Sequence, residues 1–178
     1  MKITTKTGDG GETGLYRGKR VSKGSDVIGF LGEVDELQAF LGWCRFVGGL
    51  EDGAEACEII DRVQNDLYRI MAAVGGSDAA GRAAAISEGD ISKLEEDISK
   101  YENFIGDDGK FIKPGQTEEG TRFHIARTVC RRAERSAVKY FGGVVGGGAG
   151  KEQATVILKY LNRLSDLLFV LGCRFEKL

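Results

Sequence analysis

The chain has 178 residues, a mass of 19.2 kDa and 42% hydrophobic residues, enough for one well-filled core and short for two. A net charge of −2 and a pI near 5.6 exclude the broad basic field that duplex nucleic acid requires, and no apolar run approaches the roughly 18 residues of a membrane span. The cysteines, Cys44, Cys57, Cys130 and Cys173, include no CxxC pair, and the start MKITTKTGDGGETG has no apolar signal region, so a cytoplasmic setting with reduced, packed thiols is expected.

Residues 1–24 hold glycine at 8, 10, 11, 14, 18 and 24, interleaved with Thr4, Thr5, Thr7 and Thr13 and with Lys6, Arg17, Lys19, Arg20 and Lys23. Glycines let backbone N–H groups approach a ligand, and lysines and threonine hydroxyls complete a cradle that fits a polyphosphate. A flexible N-terminal tail is the equal alternative. Neither glycine-rich stretch is a Walker A loop: GLYRGK is one residue short, and GVVGGGAGKE carries Val145 and Glu152 where Gly and Ser or Thr are needed.

From Ser25, an N-cap candidate, to about Val47, the residues Val27, Leu31, Val34, Leu37, Leu41 and Cys44 repeat at helical spacing. Gly32, Asp35, Ala39 and Gly42 line a neighbouring face. Asp35 therefore either faces solvent or sits in a close seam where it needs a cationic partner, from this chain or across a subunit boundary. A second helix is predicted from about Ala54 to Val74, stopped by Gly75 and Gly76, and a third from Ser87, with Asp90 at a capping-box position and a stripe ending at Ile105. Both read as structural. The connection GDDGKFIKPGQTEEG holds the only proline, Pro114, and places Phe111 and Ile112 in polar surroundings, where they either plug the core or meet a ligand.

The stretch TRFHIARTVCRRAERSAVK, residues 121–139, sets Phe123, Ala126, Cys130, Ala133 and Ala137 on one buried face. Alongside, Arg127, Arg131 and Glu134 fall at i, i+4 and i+7, and Arg131 and Arg135 are a further i, i+4 pair. Like charges so spaced cost a few tenths of a kcal/mol per pair, about 0.2–0.5 on an isolated helix, so the cluster is best explained by anions lying against it. A last helix is predicted from about Lys151 to the end, with Ala154, Ile157, Leu161, Leu164, Leu168, Leu171 and Phe175 as the central stripe and Asn162 and Asp166 one turn apart on another face. His124 has no ligand cluster around it in sequence, so no protein metal site is expected. The sum is an all-α five-helix bundle in one domain: a Gly-rich nucleotide-binding segment, 1–24, then the bundle, 25–178.

TKTGDGGETGL, GEVDEL, FIKPG, ARTVCRRAER and YLNRLSDLLF, in that order over nearly the whole chain, resemble ATP:cob(I)alamin adenosyltransferases of the propanediol-utilisation type. The resemblance implies transfer of the 5′-deoxyadenosyl group of ATP to Co(I) of a corrinoid, with release of triphosphate. It also implies a homotrimer with ATP and corrinoid meeting between subunits. ATP would be held by Thr5, Lys6, Thr7, Gly8, Thr13, Gly14 and Lys23 together with Arg131, Arg132, Glu134, Arg135 and Asn162. Asp35 and Arg127 would bridge subunits beside the active site, and Phe111 would close the lower face of the corrin. Mg²⁺ would arrive with the nucleotide. A corrinoid reductase and an adenosylcobalamin-dependent enzyme are the implied protein partners; membranes and nucleic acid are not among them. The chain departs from the family pattern at Gln38, Lys113 and Gln116. The competing expectation is a non-catalytic bundle that senses ATP or carries a corrinoid.

Overall fold

A computed structural model describes residues 3–16, 19–76, 86–105, 113–142 and 149–176. These form five α-helices, α1 (Asp26–Cys44), α2 (Gly53–Val74), α3 (Glu88–Tyr101), α4 (Glu118–Gly142) and α5 (Ala149–Glu176), preceded by a small hairpin of β1 (Glu12–Gly14) and β2 (Arg20–Ser22). The strands pair antiparallel, with Thr13 opposite Val21. No described helix is long and apolar enough to cross a membrane.

The helical stripes close on one core. Phe30, Leu37, Leu41, Ile60, Leu67, Leu94, Phe123, Leu161 and Phe175 are fully or almost fully buried, each contributing about 1.5–3 kcal/mol through removal from water. Phe123 of α4 stacks on Phe175 of α5 at 5.3 Å between ring centres. Cys44, Cys130 and Cys173 are buried in this core, the Cys130 thiol donating to the Leu161 carbonyl, while Cys57 is half-buried beside Arg45. Burial pushes the Cys44 thiol up to about 12.

Helices α1 and α4 run antiparallel in a register that can be followed by residue pairs. Lys139 bonds Asp26 at 2.6 Å, Gly29 faces Ser136, Arg132 pairs with Glu33 and Glu36, and Arg122 lies 5.3 Å from the Trp43 ring centre. Each step forward along α1 is matched by a step back along α4, so the start of α1 and the end of α4 share one end of the bundle.

Helix ends follow local chemistry with two departures from expectation. Ser25 occupies the N-cap of α1 but its hydroxyl donates back to the Ser22 carbonyl at 2.6 Å instead of capping. Helix α3 ends at Tyr101, followed by a 3-10 turn over Glu102–Phe104, earlier than the stripe to Ile105 suggests. Its start is as expected: Ser87 and Asp90 form a reciprocal capping box.

Polar links that the apolar pattern does not announce fasten α2, α3 and α5 together. Tyr160 donates to buried Asp66 at 2.9 Å, Arg69 bonds both Asp66 and Asp90, and Arg62 pairs with Asp97. Desolvation raises the Asp66 pKa despite the Tyr160 and Arg69 hydrogen bonds. The signal was a carboxylate inside the α2 stripe, between Val63 and Leu67.

Candidate functional site

The N-terminal segment is tied rather than free. Arg20 donates to the Thr7 carbonyl at 2.8 Å and to Glu12 at 3.1 Å, and the Lys23 N–H donates to the Gly11 carbonyl at 2.9 Å. Thr5 and Thr7 share a hydroxyl contact of 3.0 Å, and Lys6 has a positive φ of 60°, an uncommon conformation for a residue with a Cβ. A Cβ at Gly8 would stand 3.1 Å from the Lys23 ammonium nitrogen, so the glycine and the lysine occupy one spot. Thr5, Lys6, Thr7, Gly14 and Lys23 are exposed and Gly8 and Thr13 half-buried, leaving their polar groups accessible to a ligand.

The segment docks where three helix ends meet. The Tyr16 N–H donates to the Gly75 carbonyl at 3.2 Å, and Leu15, Tyr16 and Val21 line a cavity of about 380 Å³ with Val27, Val74 and Tyr140. Lys139 and Asp26 lie at the same end. Arg135 is one turn and Arg131 two turns from Lys139 along α4, roughly 6 and 12 Å by helical rise.

The arginines of α4 have different surroundings. Arg132 is engaged by Glu33 and Glu36, whose hydrogen bonds raise its pKa. Arg131 and Arg135 are exposed and have no carboxylate partner among the described residues; Arg135 donates to the Arg131 carbonyl at 3.1 Å. Glu134 accepts from Asn162 at 3.3 Å, joining α4 to α5. Asp166 turns instead to Arg163, at 2.8 Å.

Arg127 is half-buried, its guanidinium carbon 5.9 Å from the Phe169 ring centre and its Nε buried without a hydrogen-bond partner. Asp35 is exposed, on an open face with Gly32 and Ala39, and no bridge to Arg127 forms within the chain. Next to Arg127, His124 is 3% exposed with both ring nitrogens unpartnered. Burial, then Arg127, lowers its pKa, against an opposing pull from Glu176. Phe111 lies outside the described residues. Lys113 is exposed, and Gln38 is buried, exchanging side-chain-to-backbone hydrogen bonds with Gln64 at 2.9 and 3.0 Å. No cluster of three or more His, Cys, Asp or Glu suited to a metal ion occurs among the described residues.

The family model described as cobalamin adenosyltransferase matches residues 3–175. The chain belongs to the cobalamin adenosyltransferase family. A cobalamin adenosyltransferase of Cupriavidus metallidurans is 36% identical over 171 residues, covering 96% of this chain and 86% of that protein. The corrinoid adenosyltransferase PduO of Salmonella typhimurium is 34% identical over 174 residues, covering 97% of this chain and 49% of its own, so the chain spans about half the length of that relative. Among solved structures, a variant PduO-type ATP:corrinoid adenosyltransferase from Lactobacillus reuteri, complexed with cobalamin and ATP, superposes with a TM-score of 0.81 at 26% identity, covering 99% of this chain and 91% of that one. Family membership favours the enzyme over the ATP-sensing bundle, and the helical fold and its order agree with the resemblance in the sequence.

Proposed function

We propose how this chain carries out the reaction of its family, transfer of the 5′-deoxyadenosyl group of ATP to the cobalt of a reduced corrinoid. The electron pair of Co(I) forms the cobalt–carbon bond at C5′, the C5′–oxygen bond breaks, and triphosphate leaves with the electron pair of that broken bond. Such a nucleophile needs no general base, so the protein orients the reactants, neutralises triphosphate and excludes water.

The observation that carries this assignment is the pair Arg131 and Arg135, exposed on α4 with no carboxylate to neutralise them among the described residues, beside an Arg132 that is already satisfied. Guanidiniums in this state are ready for phosphate oxygens. Thr5, Lys6, Thr7, Gly8, Thr13, Gly14 and Lys23 supply the second wall, in a segment held at the same end of the bundle by Tyr16 and Gly75. Arg132 acts by fixing α4 to α1, and Glu134 with Asn162 fixes α4 to α5. Mg²⁺ enters with the nucleotide, held chiefly by triphosphate oxygens.

The working assembly is a homotrimer with sites between subunits. Asp35 and Arg127 do not meet within the chain, yet one is exposed among small residues and the other keeps a buried, unpartnered Nε. A bridge from Asp35 to the partner subunit's Arg127 satisfies both. Phe111 is assigned the lower corrin face on the family resemblance, where displacing the lower ligand would make Co(II) easier to reduce. A reductase supplies the electron and an adenosylcobalamin-dependent enzyme takes the product. The setting is cytoplasmic, in keeping with widely spaced cysteines that include no CxxC pair.

Anaerobic incubation with ATP and chemically reduced cobalamin tests the reaction. A cobalt–alkyl spectrum and intact triphosphate are expected; absence of the cobalt–carbon bond, or pyrophosphate plus phosphate as direct products, would overturn it.

A further inference from the structure

We propose that Glu176, in the last turn of α5, is a positioning residue that sets the corrin side of the active site by holding residues 115–117. The proposal rests on the reading above, in which the loop ahead of α4 meets the corrinoid.

One carboxylate takes three backbone donors. The N–H groups of Gly115, Gln116 and Thr117 reach the Glu176 oxygens at 2.9, 2.7 and 2.9 Å. The Glu176 side chain is 2% exposed, and His124 on the facing helix stands 4.0 Å away, beyond hydrogen-bond reach. A buried charge is costly unless hydrogen-bonded, so these N–H groups, with the positive end of the 25-residue helix α4 behind them, are what keep the carboxylate there. The joint has further fastenings. The Thr117 hydroxyl donates to the Phe175 carbonyl at 2.6 Å and accepts from the Gly120 N–H at 3.0 Å. Gly115 has φ 110°, a conformation open to glycine. Gly120 leaves the space: a Cβ there would stand 2.5 Å from Glu176 Cγ and 2.8 Å from its backbone nitrogen.

An apolar plug would hold the start of α4 without burying a charge. A triply bonded carboxylate adds something a plug does not, namely a fixed backbone direction at 115–117. Phe111 precedes Gly115 by four residues, so the chain itself confines it to within about 14 Å of this anchor. The anchor is therefore what the corrin-facing segment is measured from.

Glu176→Gln separates this role from bulk stability, because it keeps the shape but points an amide donor at N–H groups that need an acceptor. In the full-length, ligand-free protein, amide exchange over residues 115–117 is expected to quicken about tenfold, the equivalent of one charged hydrogen bond. In turnover, kcat/KM for cobalamin should fall about tenfold, with the KM for ATP changed less than about twofold, and the loss should be larger from Co(II) than from preformed Co(I). Gly120→Ala, which displaces the same carboxylate without removing its charge, should reproduce the pattern. Unchanged exchange at 115–117, or faster exchange with equal losses toward ATP and cobalamin, would overturn the proposal. If neither variant folds, a purely structural role replaces it. A wild-type protein that forms no cobalt–carbon bond would defeat the proposed reaction instead, while the exchange measurement still decides whether the clamp exists.

Discussion

Arg131 and Arg132 are neighbours in the chain with opposite surroundings: two carboxylates of α1 face Arg132 and none among the described residues faces Arg131. Arg131→Ala should therefore weaken ATP binding by about 1.5–3 kcal/mol, roughly ten- to hundredfold in Kd, while leaving the melting temperature in place. Calorimetric titration checks this; unchanged affinity would remove Arg131 from the site. His124, the chain's single histidine, gives a pH prediction. Its pKa is lowered from 6.5 by burial first and by Arg127 second, so the unfolded chain binds the proton more readily than the folded one. Its contribution to stability is then complete above pH 6.5 and lost as the pH falls from there through the folded value. Denaturation curves between pH 7.5 and 5.5 should show that slope in the wild type and a flatter one in His124→Gln. The sequence singled out Arg131 by its i, i+4 spacing, whereas the pairing of Arg132 was not legible, since Glu33 and Glu36 lie nearly a hundred residues away. Sequence separation also hid Glu176, whose partners sit about sixty residues upstream, with no local spacing to mark it.

At the level of helices, α4 and α5 approach closely enough that side-chain volume is rationed at glycines. A Cβ on Gly172 would fall 2.7 Å from the His124 ring, which is itself buried at 3% exposure. Gly172→Ala should cost about 1–3 kcal/mol of stability, the usual range for overfilling a packed seam, and chemical denaturation measures it. An unaltered unfolding midpoint would show that the ring relaxes freely. Helices were the most legible part of the fold, because Val63, Leu67 and Ile70 in α2 or Ile157, Leu161 and Leu164 in α5 carry the period of the buried face directly. What periodicity does not encode is how helices choose neighbours. Arg69 ties α2 to α3 through Asp90, and although Asp66 stands out inside the α2 stripe, single-helix patterns do not name its partners.

The molecule as a whole is expected to act as an assembly. Asp35 and Arg127, apart in the chain, should join copies into a trimer, and sedimentation should find that species; a stable and fully active monomer would defeat the idea. Asp35→Asn should lower activity more than an exposed ion pair warrants, because the partner's Arg127 keeps a half-buried charge without a counter-ion. Exchanging the two charges, Asp35→Arg with Arg127→Asp, should restore part of the loss. A single sequence shows the two residues but not the boundary between copies: the spacing around Asp35 called for a cationic partner, and the resemblance singled out Arg127 across a subunit boundary.

The placement of the thiols has a practical outcome. Maleimides and iodoacetamides attack thiolates, and Cys44, Cys130 and Cys173 are sealed in the core, leaving half-buried Cys57 as the reachable position. One fluorophore per chain should attach under native conditions, without mutagenesis. It would sit in the first turns of α2, roughly 27 Å by helical rise from Gly75, where the N-terminal segment docks. That separation suits energy transfer to a nucleotide dye, so the protein carries its own ruler for following ATP arrival in real time.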